Sequence, residues 1–286
     1  MLLLLFFVPT LIYVEDTFAQ QADQFRLRAY KYNKNFDNSD TLAEIKFGRE
    51  LAARILNKYK LVDRSEQERK VTRYLAALGA GIASMIGRTE IKYYFAILDS
   101  DDVNAYACPG GYIFITKGAM KLIKDEAQLA GVLAHEIAHV NERHIIRKLQ
   151  LRGSDNSVVS GFGALIAGAS ASYLKTFSTL LDKAMEILFE EGISKKEELQ
   201  SDGEAIKTLI SLGYNPNNYL FLIKSLAKVM QMERGKVLSK THPSVTQREQ
   251  EIEEIISLYN INKNQPNQPI LSLKTGKKRF EKHVKF

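Results

Sequence analysis

Apolar residues recur at helical spacing along most of this chain, and the clearest run lies between Asp125 and His144. Leu129, Val132, Leu133, Ile137 and Val140 mark one side of a helix there. Asp125 is placed to cap it, with Gln128 three residues on, where a capping-box partner belongs. The spacing predicts one helix over 125–144. A second helix, capped by Asp40 or Thr41, carries Ile45, Leu51, Ala52, Ile55 and Leu56. A third starts at Arg64-Ser65 and has Val71, Tyr74, Leu75, Leu78 and Ile82 on its apolar side. The β-branched and aromatic run Ile91–Leu98 reads as a strand, and Asp99–Asp102 as a turn.

Between Val103 and Gly118 the pattern is extended but broken by Pro109-Gly110-Gly111. Proline cannot sit in a central strand, so two strands around a kink are expected, one near a sheet edge. Such an edge takes an extended peptide by main-chain hydrogen bonds, with an ordinary hairpin as the plain alternative. Downstream, Ser194 and Glu197 form a capping box at the start of a helix. Gly213–Pro216 turns the chain into an amphipathic helix over Asn217–Met232. Thr241–Ser244 is a rigid turn, and Thr246–Tyr259 a charged helix. The run over 157–181 is apolar but rich in Gly and Ser, which favours a pair of small-residue helices over a membrane helix. The fold class expected is mainly α with a small β-sheet.

Composition refines this. Of 286 residues 45% are hydrophobic, enough for a proper core. The single cysteine, Cys108, excludes an intrachain disulfide. The net charge of +7 is concentrated at the C-terminus, where the last 25 residues carry seven Lys/Arg against one Glu. No basic face with aromatic support for nucleic acid is evident. A solvated tail is expected, with contact to an anionic membrane surface as the alternative. The apolar run of about 13 residues from Met1 to Val14, followed by Thr17-Phe18-Ala19, suggests a signal peptide cleaved after Ala19, or a short anchor. The division expected is signal peptide 1–19, loose arm 20–40, one domain 41–260 and basic tail 261–286.

The candidate chemistry lies in the 125–144 helix. His135 and His139 are four apart, so their rings stand one turn apart on one face and can grip one metal ion. Glu136 is then placed to take a proton from a water that the metal activates. In the helix opened by Ser194, Glu198 and Asp202 also share a face. Alone they read as a solvated acidic helix start. Facing an HExxH helix they read as a third ligand and as the carboxylate that takes a ligand histidine's free N–H.

Five ordered segments then resemble the zinc metallopeptidases of family M48, the group that holds HtpX, BepA-like periplasmic proteases and CAAX prenyl proteases. They are Asn104–Phe114, His135–Val140 with Arg143-His144, Ser194–Asp202, Gly213–Pro216, and Thr241–Ser244 with Arg248. The resemblance implies a gluzincin-type peptidase domain with one zinc ion held by His135, His139 and Glu198. It implies Glu136 as general base, Asp202 as the carboxylate behind the ligands, and Pro109, Gly110, Gly111, Tyr112 and Ile113 as the substrate-binding edge. His242 would face the zinc, either donating to the oxyanion or closing the open ligand position as a latch. Lys195, Ser201 and Cys108 depart from the family's usual residues without touching a ligand. The function implied is metalloendopeptidase action on exported or misfolded envelope polypeptides, in the periplasm or secreted, or anchored to the membrane facing the periplasm. The alternative is a non-catalytic, zinc-containing, chaperone-like binding protein.

Overall fold

In the computed structural model the described residues are 38–149, 171–232, 236–258 and 273–284. The chain divides into two units at Asn38, and everything below concerns the second. The expected signal peptide, most of the arm and the small-residue stretch up to 170 lie outside the described residues. Among the described residues no helix is long and apolar enough to cross a membrane.

Helices α1 (Asn38–Lys58) and α2 (Glu66–Ile86) come first. Ser65 caps α2 with a complete capping box to Glu68, as the sequence predicts. Strands β1 (Tyr94–Leu98), β2 (Ala105–Cys108) and β3 (Tyr112–Thr116) follow, with Pro109–Gly111 a tight turn between the last two. The first strand is shorter than expected and starts at Tyr94. Then come α3 (Lys117–Leu122), α4 (Glu126–Asn141) and α5 (His144–Lys148). Next are α6 (Ala171–Glu186), a π-helical turn over Ile187–Glu191, α7 (Lys195–Ser211) and α8 (Pro216–Met230). The described elements end with α9 (Lys236–Thr241), α10 (Val245–Leu258) and α11 (Leu273–His283).

The sheet is mixed, in the order β1-β3-β2, with β3 parallel to β1 and antiparallel to β2. It separates two cores by strand alternation. Ile113 and Ile115 face the larger core with Phe95, Ile97 and Ala107, while Phe114 faces the smaller one with Leu98, Tyr106 and Cys108. Helix α4 is the axle of the larger core. From Glu126 to Val140 every residue but Val132 is buried.

Three expectations change. The predicted helix over 125–144 breaks at Arg143, whose φ of 54° is left-handed. The buried Glu44 of α1 holds Arg143 (3.0 Å) and Arg88 (2.6 Å), drawing the chain out of the helix. The expected substrate edge also moves. β3 is the central strand, paired on both sides, so Tyr112 and Ile113 have no free edge to offer. Pro109, Gly110 and Gly111 are buried against α1, where a Cβ on Gly110 would stand 2.7 Å from Ile45 Cα. The two glycines, with φ of 70° and 93°, make a crossing that no other residue fits. The edge strand on the α4 side is β2 instead. Finally, the C-terminal segment is not wholly a solvated tail. Gly276 and Phe280 form a buried stripe, and α11 packs on α2 and α4. The run of lysines around that stripe masked it.

Candidate metal centre

The centre is built where α7 crosses α4. The helical spacing of His135 and His139 brings their Nε2 atoms to 3.0 Å. Glu198, near the start of α7, reaches across so that its carboxylate lies 3.6 Å from His135 Nε2 and 3.4 Å from His139 Nε2. Ligands at about 2.1 Å from a tetrahedral ion stand about 3.4 Å from one another. Of the two carboxylate distances the first is to Oε2 and the second to Oε1, so the three side chains converge within reach of one ion. His242, in the turn after α9, puts Nδ1 2.5 Å from Glu198 Oε2. Among the described residues His135, Glu198 and His242 alone form a tight metal-holding group of His, Cys or carboxylate ligands.

Behind the donors stand groups that fix them. His135 Nδ1 lies 3.0 Å from Asp202 Oδ1, which orients the ring with Nε2 inward. Asp202 is fully buried and takes a fork from Arg248, at 2.8 and 2.7 Å, and the Tyr219 hydroxyl at 2.9 Å. Burial opposes its charge, but Arg248 and the His135 contact hold the carboxyl well below the usual range. Tyr219 reaches this position by crossing α4 at Gly131, where a Cβ would stand 2.4 Å from its ring. His139 Nδ1 lies 2.7 Å from His144 Nδ1. Were His139 Nε2 to face an ion, its Nδ1–H would donate and His144 would accept. The break at Arg143 is what lets His144 turn back to this contact.

The electrostatics call for a cation. Burial opposes charge on Glu198, yet His242 and His139 hold it well below the ordinary carboxylate range. Burial also disfavours a proton on His135, but Asp202 and Glu198 push it up to about 10. Burial drives His139 well below its ordinary value, so its ring is a neutral donor. Burial likewise takes His144 down to about 4, with Arg147 adding to the effect, and it stays an acceptor.

Glu136 differs from the other carboxylates. It is buried, has no hydrogen-bond partner among the described residues, and lines both clefts beside the centre. Burial raises its pKa, with partial relief from His135 and His242.

The structure thus brings together His135, Glu136, His139, Glu198, Asp202 and His242. It leaves Pro109–Ile113 out: neither cleft is lined by them, whereas Asn104 and Ala105 line both. The parts given no role by sequence reasoning are His144, Tyr219, Arg248 and the Asn104–Ala105 edge. Arg248 carried a signal, because it shares a stripe with the buried Ile252 and Ile256 and so needs a buried partner. Tyr219 carried none beyond its place on the apolar face of α8.

A family profile described as Peptidase family M48 matches residues 69–256. Among curated proteins, the beta-barrel assembly-enhancing protease of Escherichia coli (strain K12) is 27% identical over 179 residues, covering 60% of this chain and 36% of that protein. The mitochondrial metalloendopeptidase OMA1 of Schizosaccharomyces pombe is 27% identical over 186 residues, covering 64% of this chain and 52% of that protein. The mitochondrial metalloendopeptidase OMA1 of Bos taurus is 37% identical over 65 residues, 23% of this chain and 12% of that protein. The chain spans about a third to a half of the length of the first two relatives.

Proposed function

We propose that this chain, which belongs to peptidase family M48, cuts internal peptide bonds of exported or misfolded envelope polypeptides with one zinc ion. The family match covers about two thirds of the chain, and membership makes it a metal-dependent hydrolase of peptide bonds. Zinc is the metal we assign, because two imidazoles and one carboxylate with a position left open is its catalytic ligand pattern.

His135, His139 and Glu198 would hold the ion, with Asp202 and His144 keeping the two rings turned inward. When bound, zinc polarises the scissile carbonyl and brings the pKa of water down to about 7. Glu136 accepts the proton as the water oxygen attacks the carbonyl carbon. It then gives that proton to the amine nitrogen as the C–N bond breaks. A raised pKa and a carboxylate with no other partner suit both transfers. The free side of β2 at Ala105, with Asn104 just before it, would align the substrate backbone. His242 would donate to the developing oxyanion. Its contact with Glu198 also allows it to close the site as a latch.

The observation that carries this reading is Glu136, without a hydrogen-bond partner among the described residues, beside three convergent donors. A binding protein with structural zinc needs the donors but not that carboxylate. The test is Glu136→Gln. It should keep one zinc per chain by elemental analysis and lose cleavage of casein; cleavage at the parent's rate would sink the mechanism. His242→Ala separates its two roles, since lost activity marks the oxyanion donor and gained activity the latch. Export is proposed on the apolar run at the N-terminus, and fractionation with carbonate extraction tests it against a membrane anchor.

A further inference from the structure

We infer that Glu44 and Arg143 are positioning residues of the metal centre: they hold the left-handed step that follows α4, and that step sets His144 behind the ligand His139. The inference rests on the metal site proposed above and deepens it, because it makes metal affinity depend on a carboxylate of α1.

His144 follows His139 by five residues. In an unbroken α-helix each residue turns by about 100°, so a residue five places on points about 140° away. Side chains meet across a helix surface at spacings of three and four, and His144 would miss His139. Yet their ring centroids are 4.9 Å apart and their Nδ1 atoms 2.7 Å apart. A single residue makes the difference. Arg143 has φ 54° and ψ 39°, and among the described residues it is the only non-glycine with positive φ. Helix α4 ends at Asn141, and α5 starts afresh at His144.

A left-handed conformation costs an arginine free energy and persists only where the surroundings over-determine it. They do so here. Glu44 Oε2 lies 3.0 Å from Arg143 Nε, and both side chains are buried. The other oxygen of Glu44 lies 2.6 Å from Arg88 Nη1 and accepts from Gly110 N at 3.3 Å, so the carboxylate is fixed from three sides. Just before the break, Asn141 donates to Ile86 O at 2.8 Å and accepts from the Tyr93 hydroxyl at 2.6 Å. The exit of α4 is thus clamped by α1, by the end of α2 and by the approach to β1. A buried ion network is weak evidence for stability, since apolar residues of the same volume often serve as well. What this one fixes is direction. With the step in place, His144 Nδ1 can accept from His139 Nδ1–H and leave His139 Nε2 to face an ion. Losing a partner of that kind costs about 10- to 100-fold in metal affinity.

The test reads zinc affinity, by competition with a chromophoric chelator, beside denaturant unfolding of the same proteins. Arg143→Gly removes the ion pair but takes positive φ without strain, whereas Arg143→Val removes the pair and resists positive φ. Both should lose stability. Zinc affinity should fall about 10- to 100-fold in Arg143→Val and stay within about threefold of the parent in Arg143→Gly. Glu44→Gln should weaken zinc binding in the parent and add nothing in Arg143→Gly, where no arginine is left to hold. His144→Asn keeps an acceptor at the δ1 position and should keep the affinity, while His144→Leu removes the acceptor and should lose it. Equal zinc affinity in the two Arg143 variants, or in the two His144 variants, would overturn the inference. Glu44→Gln and the His144 pair decide it if Arg143→Val does not fold. Zinc bound in the expected order of variants, with no casein cleaved by the parent, overturns the peptidase reading and keeps this one. A parent that binds no zinc overturns both.

Discussion

Glu126 and Glu136 stand ten residues apart on α4, about 15 Å along its axis, and both are buried. Their environments are opposite. Glu126, in the first turn, takes the Tyr74 hydroxyl at 2.6 Å, the Tyr214 hydroxyl at 2.8 Å, and a fork from Arg279 of α11. Burial works against its charge, but Arg279 and the two phenols hold it below the ordinary carboxylate value. Glu136 has burial without donors and is raised. Burial alone therefore does not decide what an acidic residue on this helix does. Donors turn one carboxylate into a staple that ties α2, α8's leading turn and α11 to the start of α4. The other has no such donor among the described residues, which is the state the proposed proton transfers need.

The largest effect that breaks this contrast is expected from Glu136→Gln. Turnover should fall by about 10² to 10⁴, the share of a general acid–base group. Stability should hold or rise, because a buried carboxylate without a partner is removed. A melting temperature that drops with the activity would mean that Glu136 is structural after all.

The reciprocal change is Glu126→Ala. Removing one member of a buried charge pair costs about 3 kcal/mol, toward the lower end of the usual range because Arg279 is partly exposed. Denaturant unfolding should register that loss. The metal-loaded variant should keep the parent's kcat, since Glu126 bonds to Tyr74, Tyr214 and Arg279 and to none of the proposed ligands. A large fall in kcat at full zinc occupancy would show that the two ends of α4 are coupled.

Titration sharpens the same comparison. Glu126 has a folded pKa below its unfolded value of 4.5. Its contribution is therefore fully present above about pH 5 and is lost as pH falls through the folded value. Glu126→Gln should be flatter than the parent in stability between pH 5 and pH 3. Equal acid limbs in the two proteins would remove Glu126 from the account.

How much of this was legible without a structure follows from the range of each signal. The caps at Ser65, Asp125 and Ser194, the HExxH spacing and the Glu198–Asp202 pair are local patterns, and each is found where helical periodicity predicts it. Even so, Gln128 does not close a box on Asp125, for its side chain accepts from Lys124 N instead. The order of the sheet is a long-range property, so nothing in Tyr112-Ile113 reveals that β3 lies in the middle and that β2 keeps the edge. His144 is next to a backbone break that only Glu44, far away in sequence, explains. The C-terminal helix was hidden by composition. Seven basic residues read as a solvated tail, yet Phe280 is buried and Arg279 reaches the Glu126 carboxylate.

The smallest expected effect tests whether the staple depends on charge or on shape. Arg279 meets Glu126 with two nitrogens, Nε and a terminal one, in a fork that fits both carboxylate oxygens. Arg279→Lys keeps the positive charge and loses one of the two hydrogen bonds. It should therefore cost about 1 kcal/mol, the usual net value of one such bond, and leave zinc content and kcat unchanged. Stability equal to the parent would mean that charge alone holds α11 down. A loss as large as that of Glu126→Ala would mean that the fork's geometry, with Phe280 packed beside it, is what makes α11 part of the domain.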